Sequence, residues 1–183
     1  MSCWIDHSRR TTLGLVLGAV LLAGCASAPT PEDYAKEMPR LELRRYFDGP
    51  ISAHGIFTDR AGKVVRRFSV KMTGTWNGTQ GVLDEDFTYS DGTKERRIWR
   101  LTDLGNGRYS GRADDVVGEA QGRAAGNALN WRYTLALNVD GRVIEVQFDD
   151  WMYLMDERVM LNKAVMSKFG IYLGEVTLAF TKP

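Results

Sequence analysis

After Phe47 the chain is broken at short, regular intervals by clusters of turn-forming residues. They are Asp59-Arg60-Ala61-Gly62, Asn77-Gly78, Ser90-Asp91-Gly92, Leu104-Gly105-Asn106-Gly107, Gly126-Asn127 and Asp140-Gly141. Gly, Asn and Asp tolerate the positive φ that tight hairpin turns demand. The stretches between them are rich in Val, Thr, Phe, Tyr and Trp, the residues that suit a pleated, half-buried surface. Such punctuation predicts an antiparallel meander, closed as a barrel or folded as a sandwich.

Each turn also predicts a register. Asn77-Gly78 as a two-residue turn sets Met72 opposite Leu83, Val70 opposite Glu85 and Phe68 opposite Phe87. A three-residue turn at Ser90-Asp91-Gly92 sets Glu85 opposite Arg97 and Leu83 opposite Trp99. Gly126-Asn127 sets Leu129, Trp131 and Tyr133 against Ala124, Gly122 and Ala120, large against small. Asp140-Gly141 pairs Leu137 with Ile144, Leu135 with Val146, Tyr133 with Phe148 and Trp131 with Asp150. In every case apolar sets meet on one face, as a period-two sheet requires. Residues 155–169 are ambiguous, since Val159, Leu161, Lys163 and Val165 alternate as a strand would while a short helix also fits. The final run alternates Tyr172, Gly174, Val176, Leu178 and Phe180 with Leu173, Glu175, Thr177, Ala179 and Thr181. The fold class expected is mainly β: an antiparallel up-and-down, lipocalin-like barrel of about ten strands.

The N-terminus reads differently. Arg9 and Arg10 precede an apolar stretch, Leu13 to Ala23, that is short for a membrane span and suits a signal peptide. Leu22-Ala23-Gly24-Cys25 is similar to the lipobox of bacterial lipoprotein signals, which implies cleavage before Cys25 and acylation of its thiol. The alternative is an ordinary signal peptide or membrane anchor with an incidental Cys. One acyl chain binds membranes marginally and two or more hold a protein stably. Ala26 and Ser27 follow, with no Asp at the second position, so the resemblance implies sorting to the outer membrane with the domain facing the periplasm. The domains expected are a signal peptide over 1–24, a lipidated Cys and polar tether over 25–46, and a barrel over 47–183. The tether, with Pro29, Pro31 and Pro39, reaches at most about 60 Å when fully extended.

Removing residues 1–24 takes away Arg9, Arg10 and Asp6 and leaves 22 basic against 22 acidic residues. That balance argues against nucleic acid and against an anionic lipid surface, both of which need a basic face. Cys3 leaves with the signal segment, so the mature chain forms no disulfide. His54 is the one His that remains, no His/Asp/Glu group has metal-ligand spacing, and Asp149 and Asp150 point to opposite faces of a strand. No catalytic residue, cofactor or metal is expected.

Phe47-Asp48-Gly49, the run Leu83 to Gly92, Gly126-Asn127-Ala128, the run Phe148 to Leu154 and Lys168-Phe169-Gly170 together resemble a bacterial lipoprotein family catalogued as domain of unknown function 3833. The resemblance spans Phe47 to Lys182 and implies no activity. Gly74-Thr75-Trp76 is similar to the lipocalin Gly-x-Trp, but it lies beyond the first strand and no Arg follows in the last.

Glu85, Arg97 and Asp150 fall on faces expected to be apolar, where an unpartnered charge costs several kcal/mol. One reading makes them polar anchors for a ligand headgroup. The other makes Glu85–Arg97 an ion pair that pins register, with Asp150 bonded to Trp131 Nε1 or to Lys163. Met152, Met155, Met160 and Met166 cluster late in the chain and suit either plain core or an adaptable pocket. Two functions follow. In the first, the barrel binds an apolar or amphiphilic, lipid- or fatty-acid-like ligand between Trp99, Trp131, Phe148 and Met152. In the second, a filled barrel acts as an assembly accessory that docks another envelope protein. For the anchor, Cys25→Ser is expected to leave an unprocessed precursor that takes up no labelled palmitate; normal processing and labelling would remove the lipoprotein reading.

Overall fold

The computed structural model describes residues 27–139 and 141–183, so the signal segment, Cys25 and Asp140 lie outside the described residues. A 3-10 turn at Pro31–Tyr34 and a one-turn helix α1 at Leu43–Tyr46 lead into ten strands. These are β1 Gly49–Asp59, β2 Val64–Asn77, β3 Gln80–Tyr89, β4 Lys94–Gly105, β5 Arg108–Arg112, β6 Ala120–Ala125, β7 Ala128–Val139, β8 Arg142–Leu154, β9 Val159–Lys168 and β10 Ile171–Thr181. Each pairs antiparallel with its neighbours in sequence, and β10 returns to β1 to close the ring. The ring is the up-and-down barrel that the turn spacing predicts, and within residues 155–169 the stretch Val159–Lys168 is a strand.

Three of the four predicted registers are present. Glu85 faces Arg97 and Leu83 faces Trp99; Gly122 faces Trp131; Trp131 faces Asp150 and Leu135 faces Val146. The fourth slips by two residues, so that Met72 faces Glu85, Val70 faces Phe87 and Phe68 faces Tyr89. The loop there is Gly78-Thr79 and not Asn77-Gly78. Gly78 alone has positive φ, +60°, as a type II′ turn with Gly at its first central position requires. A two-residue slip preserves which side chains face inward, and the predicted core face survives.

In β10 a register shift between Tyr172 and Gly174 moves the inward face. Leu173 joins Val176, Leu178 and Phe180 inside, while Tyr172 points outward and is exposed. Pairing alone does not announce such a bulge. In β9 the inward set is Met160, Asn162, Ala164 and Met166, leaving Leu161 and Lys163 outside.

The segment that reads as a polar tether is, from Pro31 onward, packed on the barrel. Leu41, Leu43, Tyr46 and Phe47 are buried in the main core cluster. Leu41 N–H donates to the Gly126 carbonyl at 2.8 Å, Trp76 Nε1–H donates to the Phe47 carbonyl at 3.2 Å, and Arg123 pairs with Glu32 at 2.6 Å. These partners sit at the β2, β6–β7 and β8–β9 end of the ring, which α1 and Phe47 thereby plug. The sequence hides this because the apolar residues are few and scattered among Arg40, Glu42, Arg44 and Arg45, whose charges stay exposed.

Gly74 is where the plug presses closest, since a Cβ there would overlap the Phe47 carbonyl. Backbone cannot yield cheaply, so Gly74→Ala is expected to cost about 1–3 kcal/mol. Gly62→Ala, at φ +83° in open space, is expected to cost roughly 1 kcal/mol or less. Urea midpoints compare them; equal losses would place the plug elsewhere.

Candidate functional site

The barrel interior is not filled. A cavity of about 1030 Å³ runs from Leu43 and Phe47 at the plug to Phe57, Val65, Leu137 and Leu173 at the other end, large enough for a lipid-sized ligand. All seven residues singled out in the sequence line it: Glu85, Arg97, Trp99, Trp131, Phe148, Asp150 and Met152. Period-two alternation brings them together, since each lies on the inward face of its strand. Of the late methionines, Met160 and Met166 are buried inside while Met155 is exposed.

The aromatic wall is built by size matching across strands. Trp131 lies over Gly111 and Gly122, where any Cβ would strike its indole. From there the rings interlock: Trp99 meets Trp131 edge-on at 5.8 Å and Tyr133 edge-on at 5.5 Å, and Tyr133 stacks on Phe148 at 4.9 Å. Such pairs add to the burial of their area.

A polar belt crosses this wall. Glu85, Asp150 and Asn162 are buried at 8%, 6% and 3% exposure, so their partners decide their charge. Arg97 faces Glu85 across the β3–β4 ladder, yet its guanidinium bonds elsewhere. Nε–H donates to Asp115 Oδ2 at 2.9 Å and Nη2–H to the same oxygen at 2.7 Å. The expected Glu85–Arg97 ion pair is therefore replaced by Arg97–Asp115. Asp115 comes from the loop between β5 and β6, which folds back against β7: Val116 bridges Leu135, and the Ala136 N–H donates to the Asp115 carbonyl at 2.9 Å. No turn signal fixes that loop's register, so the sequence gives no sign of Asp115.

Asp150 also departs from its expected partners. Asn162 Nδ2–H donates to Asp150 Oδ1, and the Tyr133 hydroxyl donates to Oδ2 at 3.5 Å. Lys163 faces outward and pairs with Glu175 at 3.1 Å, because Asn162 and not Lys163 has the inward parity of β9. Asp149 points out as expected, accepting from Asn130 Nδ2–H at 2.6 Å.

Burial pushes the Glu85 carboxyl up to about 7, against a smaller opposing pull from Arg97. Burial likewise pushes Asp150 up to about 7, with Asn162 and Tyr133 pulling it down. Tyr133 is held well above its ordinary range by burial and then by Asp150. The far end, ringed by the β1–β2, β3–β4, β7–β8 and β9–β10 turns, carries exposed apolar side chains at two adjacent tips: Val143 at 70%, Phe169 at 87% and Ile171 at 62%.

Comparison with known proteins adds the family. Residues 19–182 match the family described as Protein of unknown function (DUF3833), and the chain belongs to it. No curated protein matches. Among solved structures the chain is similar to one described as "Structure of EF1p2_mFAP2b bound to DFHBI", at 10% identity and a TM-score of 0.42, covering 78% of this chain and 100% of that one.

The raised carboxyls set the pH dependence of folding. In an unfolded chain Glu85 and Asp150 release their protons near 4.5 and 3.8, whereas in the fold they hold them to about 7. The folded state therefore binds more protons between those limits, and stability falls as pH rises, by at most about 1.4 kcal/mol per pH unit for each group. The urea midpoint of the ligand-free chain is expected to drop across this window and level off above it. Glu85→Gln with Asp150→Asn should flatten the slope. A midpoint that climbs through the window in the unaltered chain would show both carboxylates charged and paired.

Proposed function

We propose that this member of the family is a binding module that holds one amphiphilic molecule, its apolar chain in the barrel and its polar end at the Glu85–Asp150 belt. The observation that carries the reading is the cavity of about 1030 Å³, walled by aromatic and aliphatic side chains and crossed at mid-depth by buried polar groups. An apolar chain gains about 0.8 kcal/mol for each methylene removed from water, and a cavity of this shape offers that gain to a single extended chain. The chemistry is binding and not catalysis. The protein is an outer-membrane lipoprotein anchored through Cys25, with the domain in the periplasm. The chain enters the ring at its plugged end, so an anchor on Cys25 leaves the open mouth facing away from the anchoring membrane.

A second reading, an accessory that docks another envelope protein, is favoured by one observation: the exposed apolar tips at Val143, Phe169 and Ile171. The unfilled interior favours the first.

Ala164 is 3% exposed and lines the cavity, so Ala164→Trp fills it from β9. The chain from residue 26 onward is expected to bind a neutral naphthylamine dye, and Ala164→Trp to weaken that binding by about ten-fold or more with its far-ultraviolet spectrum unchanged. No uptake by the unaltered chain would remove the reading.

A further inference from the structure

We infer that the polar end of the ligand is a cation, and that Glu85 and Asp150 with the faces of Trp99 and Tyr133 form a site for an alkylammonium head. The inference rests on the cavity reading above and specifies its ligand.

It follows from the charges facing the cavity at mid-depth. Facing Glu85 are Arg97 from β4, Asp115 from the β5–β6 loop, Tyr133 from β7 and Asp150 from β8. Facing Asp150 are Tyr133 and Asn162 from β9, with Asp149 behind it on the outer face of β8. The belt thus holds one cation, Arg97, and Asp115 already takes both its Nε–H and its Nη2–H. Arg97 is also drawn to Glu85 beside it, so this one cation is shared among three carboxyl groups, those of Glu85, Asp115 and Asp150. Uncharged donors serve two of them: Asn162 and Tyr133 bond Asp150, and the Trp99 indole N–H bonds Glu85.

A buried carboxylate without a counter-charge is costly, and an anionic ligand group would worsen that cost. Even at the Arg97 N–H groups that Asp115 leaves free, a carboxylate or phosphate would sit beside Glu85, Asp115 and Asp150. An ammonium meets the opposite situation. It supplies the missing charge and donates to both carboxylates. The aromatic faces of Trp99 and Tyr133, which meet edge-on at 5.5 Å, attract the same cation through their quadrupoles. Buried acids that hold their protons to about 7 must release them to pair with it. Affinity for an ammonium therefore rises with pH through neutrality, and affinity for a fatty-acid carboxylate falls.

The test titrates the chain from residue 26 onward with dodecylammonium, dodecanol and dodecanoate, each below its micellar concentration, followed by tryptophan fluorescence on either side of neutrality. On the alkaline side dodecylammonium is expected to bind about ten-fold or more tightly than dodecanol, with the advantage shrinking on the acid side. Dodecanoate is expected to bind no more tightly than dodecanol at either pH. Glu85→Gln with Asp150→Asn should erase the ammonium advantage over dodecanol. The pH comparison on the unaltered chain stands by itself if that variant does not fold. Dodecanol binding with no preference for the ammonium, or with a preference for dodecanoate, would overturn the cationic head and leave the cavity reading standing. No binding of any of the three would overturn both.

Discussion

Ten antiparallel strands that pair in a ring leave no backbone edge exposed, and that closure fixes the width of what they surround. At about eight strands side chains just fill a barrel or leave room for one small ligand. At ten the inward side chains leave a cavity of about 1030 Å³, even though Trp99, Trp131, Phe148 and Phe180 are among them. The cavity is thus a consequence of strand number before it is a feature of any residue. The plug follows too. An open ring would let water run along an apolar bore, and the Leu41–Phe47 segment removes that at one end by burying four side chains. At Gly74 a Cβ would collide with the Phe47 carbonyl of the plug, and at Gly126 with the Tyr34 carbonyl of the segment before it, which shows how tightly the N-terminal stretch is fitted to the ring.

The interior also explains its own polar residues. Charged groups survive inside a barrel only where something answers them, and the belt answers unevenly. Arg97 is matched by Asp115, and Asp150 is hydrogen-bonded by Asn162 and Tyr133. Glu85 takes the Trp99 indole N–H and shares the charge of Arg97, whose hydrogen bonds go to Asp115. In the binding module proposed above, a missing counter-charge in the free protein is a gain available to the right ligand. An interior built only for stability would do better with an apolar residue at that position.

Family membership leaves the chemistry to the site. The separation between a plugged end that receives the N-terminal segment and a mouth tipped with apolar side chains gives the molecule a direction. The mouth lies at one end, and the chain enters at the other.

The strand content, the closed meander and three registers were legible in the sequence, because turn residues act within a few positions and alternation with period two fixes each strand's faces. The seven cavity residues were legible for the same reason: inwardness is a parity, and parity survived the two-residue slip at Gly78-Thr79. What the sequence did not disclose lies wherever parity or locality fails. The bulge before Gly174 reverses the face of Tyr172 and Leu173 within one strand. Asp115 reaches Arg97 from a loop whose path depends on β7. Leu41 and Leu43 look like stray apolar residues in a charged tether until the barrel end offers them a surface. The sequence by itself determined which side chains point inward wherever a strand runs without a bulge. Only the closed ring decided which of them meet, because partners such as Arg97 and Asp115 belong to segments that local pairing does not bring into register.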